Sequence, residues 1–288
     1  MASNKIKKVG VLGLGIIGSR VAENLRKANF DVFVWSRSAR PTPGFLASPA
    51  EVADVSQVIQ IFVRDDAALA EAMENMAAHL RPDHIVMCHS TVSAAATRAA
   101  ATVCEKAGAG FLDAPFTGSK NAAAGGKLVY YIGGDEALLE RVKSVLEASA
   151  AKIMPLGGVG DATVLKIATN LVSAVIVEAL AEAVAITRAN GIPSEKLLEA
   201  LEPNANFSTL IGMKLPTMIS GNYEPHFSLQ NMLKDTRFAL NMAREAGLDA
   251  PVLERTVAVM SGAVEAGKGD QDFSVIAEDY SSRKKDLP

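Results

Sequence analysis

The chain has 288 residues, 49% hydrophobic and 21% charged, the balance of an ordinary globular protein with room for one large or two medium domains. A formal net charge of −3 excludes the strong field that would recruit nucleic acid or an anionic membrane surface. No consecutive apolar run approaches the roughly 20 residues of a membrane span. The opening MASNKIKKVG passes into an apolar strand without a signal-peptide core, so a cytoplasmic protein with no nucleic-acid or membrane partner is expected. Cys88 and Cys104 make no disulfide framework and read as reduced core thiols.

In chain order, the apolar run 9–12 leads into Gly13-Leu14-Gly15-Ile16-Ile17-Gly18 and then a helical pattern over 19–28. Strand, GxGxxG and helix together read as a dinucleotide-binding turn. Its glycines serve a tight turn, the approach of a pyrophosphate and close helix–strand packing, with the positive helix end toward the phosphates. The next strand, 31–35, ends in Ser36-Arg37-Ser38. An NAD site wants an acidic residue about 20 positions on; Arg37 stands there instead, 19 residues after Gly18. A guanidinium flanked by serines suits a 2′-phosphate, so NADP(H) is the expected cofactor.

Ser48-Pro49-Ala50-Glu51 is a capping box that starts a short helix. The strand 58–63 places Phe62 and Val63 at the sheet edge where ligands sit, and a helix follows to about residue 79. The strand 85–88 ends on the same edge at His89-Ser90-Thr91-Val92-Ser93, with Ser93 placed to cap the next helix. Alternation sets His89 on the opposite face from His84 and Cys88, and no third ligand joins them, so no metal site is expected. The strand 110–113 leads into a loop of hydroxyls, glycine N–H groups and Lys120 that suits an anion. A strand over 127–132, a helix over 135–149 and a strand over 152–156 complete this lobe.

Gly157, Gly158 and Gly160 then make a flexible entry, with Asp161 as the expected N-cap of a helix over 162–189. At about 1.5 Å per residue that helix is about 42 Å long, a spine rather than an ordinary helix. Lys166 and Asn170 share one of its faces. Read from the helix alone, they are a snorkelling lysine beside a helix-interior asparagine. Beyond Gly191 the pattern is helical throughout: a short helix capped by Ser194, then helices over 207–219, 228–246 and 252–266, with Phe207, His226 and Phe227 as packing residues. The fold class is therefore α/β. An N-terminal Rossmann domain with a doubly wound sheet, residues 1–162, is joined by the long helix to an all-α domain, residues 163–288, for substrate binding and oligomerisation.

The stretches GLGIIG, HSTVS, DAPFTGSKNAAAGG, GGVGDATVLKIATN and FSLQNMLKD occur in an order that resembles the β-hydroxyacid dehydrogenase family over nearly the whole chain. That family includes 3-hydroxyisobutyrate dehydrogenase, tartronate semialdehyde reductase and the glyoxylate/succinic semialdehyde reductases. The resemblance implies Lys166 as the catalytic lysine and Asn170 as the asparagine that positions substrate. It implies Thr91, beside Ser90, near the nicotinamide. Thr117 and Gly118, with Ser119, would bind the substrate carboxylate, and Lys234 would reach the cofactor and substrate region. Thr117-Gly118-Ser119-Lys120 is closer to the glyoxylate/succinic semialdehyde branch, while Phe116 replaces a usual small aliphatic residue and Ala94 a proline. The implied activity is reversible hydride transfer between NADPH and a small carboxylate-bearing aldehyde or ketoacid, by a homodimer or homotetramer. The alternatives are an imine reductase, which usually carries aspartate or tyrosine in place of Lys166, and a non-catalytic NADP-binding regulator.

Overall fold

The computed structural model describes residues 6–282. The chain forms two compact units, Met1–Lys166 and Ile167–Pro288.

In the first unit β1 (Lys8–Leu12), β2 (Asp31–Trp35), β3 (Val58–Ile61), β4 (Ile85–Cys88) and β5 (Gly110–Asp113) pair in the order β2-β1-β3-β4-β5, every pairing parallel. This doubly wound order reverses direction between β1 and β3, which opens a crevice at their carboxyl ends. The central strands are buried on both faces, hence the unbroken apolar runs. Val9, Val11, Ile59, Ile61, Val86 and Met87 are fully covered. Gly10 belongs to this packing as well: a β-carbon there would lie 2.4 Å from Val52 Cγ1 on α2 (Pro49–Val55). The other helices of this sheet are α1 (Gly18–Lys27), α3 (Asp66–Met76) and α4 (Ala94–Lys106).

Several local expectations hold in detail. The Ser48 hydroxyl accepts the Glu51 N–H, and Glu51 reaches back to the Ala47 N–H. Ser93 caps α4 by accepting the Ala96 N–H, and is itself held by Asp66 through its N–H and hydroxyl. The expected strand 58–63 stops at Ile61, leaving Phe62 and Val63 beyond the ladder.

The stretch after β5, expected as a loop, contains β6 (Phe116–Thr117) and the short helix α5 (Lys120–Ala124). β6 pairs antiparallel with β7 (Leu128–Ile132), which pairs parallel with β8 (Ala150–Pro155) beside α6 (Glu136–Glu147). Two residues carry too little pattern to announce a strand; their pairing with Val129 and Tyr130 creates it.

The long helix α7 (Asp161–Ala189) has 29 residues and runs from the first unit into the second. It corrects one sequence argument. Although no consecutive apolar run is that long, an 18-residue window has a mean hydropathy of 1.8, enough in length and composition to cross a membrane. Its apolar residues Ala174, Val177, Leu180, Ala181 and Val184 instead form the core of the second unit. That unit is otherwise α8 (Ser194–Leu201), α9 (Thr209–Ser220), α10 (Leu229–Glu245), α11 (Pro251–Ala263) and α12 (Ala277–Ser282). Ser194 does not cap α8. It is the first helical residue, and its hydroxyl accepts from Arg188 Nε. Helix α9 starts two residues later than expected, behind a Ser208 cap, and α11 ends in a π-turn interrupted at Gly267, whose φ is 83°. Lys214, itself buried, places Nζ 2.8 Å from both oxygens of the fully buried Asp272. Asp272 also accepts the N–H groups of His226, Phe227 and Ser274.

Candidate active site

The glycines of the first turn do three different things. A β-carbon at Gly13, where φ is 97°, would lie 1.9 Å from the Phe62 carbonyl oxygen, and one at Gly18 would lie 2.0 Å from the Gly13 carbonyl oxygen. These two glycines make the turn and the helix packing possible within the protein itself. Gly15 has no such constraint: no heavy atom lies within 4 Å of its would-be β-carbon. The space beside it is open, and α1 begins behind it with no side-chain cap and no acidic residue in its first turn. An open cradle against uncapped N–H groups fits a pyrophosphate.

A cleft of about 500 Å³ extends from this turn. Among the residues assigned to the cofactor, Gly13, Leu14, Gly15, Ser36, Arg37, Ser38, Phe62 and Val63 line it; Ile16, Ile17, Gly18 and Thr91 do not, and Lys234 belongs to the second unit. Sequence reasoning missed Arg40 and Arg64, which also line the cleft. Arg40 lies three residues beyond Arg37, and its signal was that proximity. Arg64 Nε sits 3.0 Å from Asp65. Trp35 and Phe62 are the cleft's aromatic lining residues. Phe62 stacks on His89 at 4.7 Å between ring centroids, and Tyr130 and Phe116 extend the cluster.

His89 donates from Nδ1 to the Ala114 carbonyl at 2.7 Å. Burial pulls its pKa down to about 4, so the ring is neutral at physiological pH. His84 Nδ1 accepts the Arg81 N–H. Burial pushes the Cys88 and Cys104 thiols up to about 12. The hydroxyl of Ser90, the neighbour of Thr91, accepts the Val63 N–H at 2.7 Å. Thr91, half-buried, follows it. Thr117 is half-buried on β6, and Gly118 has φ 140°, a backbone that excludes other residues; a β-carbon there would also meet Leu128 Cδ2 at 2.8 Å. The Ser119 hydroxyl accepts the Ala122 N–H and thereby caps α5.

The start of α7 departs from expectation. The Asp161 carboxylate accepts the Gly158 N–H at 2.7 Å, so it braces the entry loop and does not cap the helix. The cap comes from Asp113 at the end of β5, which is 1% exposed. Its Oδ2 accepts the N–H groups of Gly160 and Thr163 at 3.0 and 2.9 Å, and its Oδ1 accepts the Thr163 hydroxyl at 2.7 Å. Burial raises the Asp113 pKa, against the opposing pull of these donors. A cap separated from its helix by about 50 positions leaves no local signature. Lys166, 9% exposed, follows Thr163 by three residues. In the second unit, Asn170 is 8% exposed and donates Nδ2 to Asp235 Oδ2 at 2.6 Å. Lys234 Nζ donates to the other oxygen of Asp235 at 2.8 Å.

Residues 8–158 match the model of the NAD binding domain of 6-phosphogluconate dehydrogenase, and residues 160–280 match that of the NAD-binding region of NADP-dependent 3-hydroxyisobutyrate dehydrogenase. The chain belongs to the β-hydroxyacid dehydrogenase family. It is 29% identical to glyoxylate/succinic semialdehyde reductase 2 of Arabidopsis thaliana, over 96% of this chain and 80% of that one. It is 28% identical to cytokine-like nuclear factor N-PAC of Mus musculus, over 95% of this chain, but spans only about half (51%) of that protein's length. The solved structure of Mycobacterium tuberculosis 3-hydroxyisobutyrate dehydrogenase with L-serine superposes with a TM-score of 0.87 at 25% identity, over 95% of this chain and 99% of that one. A β-hydroxyacid dehydrogenase is an oxidoreductase that uses a nicotinamide dinucleotide, and the open Gly15 cradle fits that cofactor.

Proposed function

We propose that this chain reduces a small carboxylate-bearing aldehyde or ketoacid, of the glyoxylate or succinic semialdehyde type, reversibly and with NADPH. The observation that carries this reading is a buried lysine, Lys166, on α7, with a buried asparagine, Asn170, one turn further along the same helix. The dinucleotide, when bound, supplies or accepts the hydride. Arg37 and Arg40, which line the cleft beyond β2, provide the cations for a 2′-phosphate. The Thr117 hydroxyl and the Gly118 N–H hold the substrate carboxylate. The Lys166 ammonium then hydrogen-bonds the carbonyl oxygen, stabilises the developing alkoxide and gives it a proton. In the reverse direction the neutral amine takes that proton from the hydroxy acid. Asn170, one turn beyond Lys166 on α7, is the residue expected to orient substrate; Asp235 fixes it and accepts from Lys234 on its other oxygen. Leu165, Val172 and Ile186 are 41%, 54% and 61% exposed along α7, which supports a homodimer or homotetramer, decided by sedimentation.

The test is Lys166→Ala. NADPH should still bind, while turnover of glyoxylate and succinic semialdehyde falls by about 10²–10⁴-fold; near-normal turnover would refute the assignment. The likeness to a nuclear factor favours one second reading, a non-catalytic NADP-binding regulator. Tight NADPH binding without NADPH oxidation across a panel of semialdehydes and cyclic imines would select it.

A further inference from the structure

The first four N–H groups of a helix have no intrahelical acceptor, and a helix start normally takes its cap from an adjacent residue or frays. α7 does otherwise. Its first turn is held by a carboxylate from a strand end, with Asp113 accepting from Gly160, from the Thr163 backbone and from the Thr163 hydroxyl. The Thr163 hydroxyl also meets the Thr97 hydroxyl at 3.2 Å, and Thr97 donates to the Ser93 carbonyl. Ser93 is in turn fixed by Asp66. The carboxyl-terminal end of β5 is thereby tied to the helix residue that precedes Lys166 by three, with the Thr97 hydroxyl packed beside it. All three hydrogen bonds to the Asp113 carboxylate come from donors at the positive end of a helix, and they hold the ionised form against burial and the nearby Asp161 carboxylate.

A lysine has four rotatable side-chain bonds, and a displacement of about 1 Å at a reacting group can lower turnover about 10²-fold. We propose that Asp113 is a positioning residue for Lys166, fixing the first turn of α7 through Thr163 so that the ammonium is presented from one backbone position. The inference rests on the reading of Lys166 given above. It assigns work to a buried carboxylate that touches neither substrate nor cofactor in that reading.

The experiment compares Asp113→Asn, Thr163→Val, Thr163→Ser and Lys166→Ala in the full chain. Thr163→Val keeps the shape and removes one donor, which guards against misfolding of the Asp113 variant. Thr163→Ser keeps the donor. With NADPH and succinic semialdehyde, Asp113→Asn and Thr163→Val should lower kcat by about 10–100-fold. KM and the NADPH dissociation constant should stay within about twofold, and Thr163→Ser should match the wild type. Independently of turnover, Lys166 in the two impaired variants should react several-fold faster with an amine-acylating reagent, read by peptide mass spectrometry. A kcat or a labelling rate unchanged in both variants overturns the inference, as does a loss that Thr163→Ser shares. If Lys166→Ala is fully active, the functional reading falls and this inference with it. If Lys166→Ala is inactive while Asp113→Asn and Thr163→Val turn over like the wild type, only the positioning role falls.

Discussion

An alanine methyl at position 15 would meet no heavy atom within 4 Å, whereas one at position 13 would be forced to 1.9 Å from the Phe62 carbonyl oxygen. The two substitutions are chemically identical and two residues apart, and they should fail in different ways. At position 15 the backbone φ lies outside the left-handed region, so alanine is compatible with the fold. It should stabilise the chain by about 0.4–1 kcal/mol through the unfolded state. For a chain of this size that is a rise of roughly 1–4 °C in Tm. The same methyl occupies the space where a pyrophosphate would approach the N–H groups at the start of α1. Losing one charge-assisted hydrogen bond there, about 1.5–3 kcal/mol, weakens NADPH binding by roughly 10–150-fold. At position 13 the clash is with backbone and φ is 97°, so Gly13→Ala should destabilise by about 2 kcal/mol or more. Titration of NADPH by its fluorescence and thermal unfolding of the cofactor-free protein separate the two effects. Gly15→Ala binding NADPH as tightly as the wild type would refute the cradle. Gly15→Ala unfolding as early as Gly13→Ala would refute the claim that Gly15 is free of packing constraint.

Three further outcomes follow from the same geometry. Replacing Arg37 and Arg40 together with serine should lower kcat/KM for NADPH by about 10–100-fold and change that for NADH by less than about threefold; equal efficiencies with both cofactors in the wild type would remove the 2′-phosphate argument. His89 has a folded pKa of about 4 against 6.5 for the free side chain, so between those values the unfolded chain binds the extra proton and stability rises with pH. That contribution is complete above about pH 6.5 and is lost as pH falls through about 4. Urea unfolding should show a loss of about 2–3 kcal/mol between pH 7 and pH 4.5 that His89→Phe lacks, and parallel losses in the two proteins would refute the assignment. Lys214→Met should cost about 3 kcal/mol by leaving the buried Asp272 carboxylate without its cation, at the low end for a broken buried pair because three backbone N–H groups still serve it. A change in denaturation midpoint equivalent to less than about 1 kcal/mol would show that those N–H groups suffice.

What was legible in the sequence was what local chemistry encodes. Gly13, Gly15 and Gly18 stand between a strand and a helix, and Ser48, Ser93 and their partners three residues on announce their helices, because every group needed lies within one turn. The central strands of the parallel sheet are buried on both faces and so read as apolar runs. What was missed depends on partners far along the chain. Asp113 reads as a strand end, and its role appears only when β5 is brought to the start of α7, 47 and 50 positions later. Asp235 reads as half of a Lys-Asp pair until it receives Asn170 from 65 positions away. β6 is two residues long and exists through its pairing with β7. Ser194 shows the opposite failure: a good cap residue at the right spacing, displaced into the helix because Arg188 claims its hydroxyl.

Burial of the two thiols has a use beyond packing. Cys88 and Cys104 both belong to the first unit, and the chain has no other cysteine. With their pKa values pushed up to about 12, almost no thiolate exists at neutral pH in the folded state, whereas an exposed cysteine ionises near 8.5. Alkylation therefore proceeds only through molecules whose nucleotide-binding unit has opened. The rate at which iodoacetamide consumes the thiols is an internal clock for that opening, blind to the helical unit. Its slowing with added NADPH would measure cofactor binding in the currency of local unfolding, with no label and no catalytic assay.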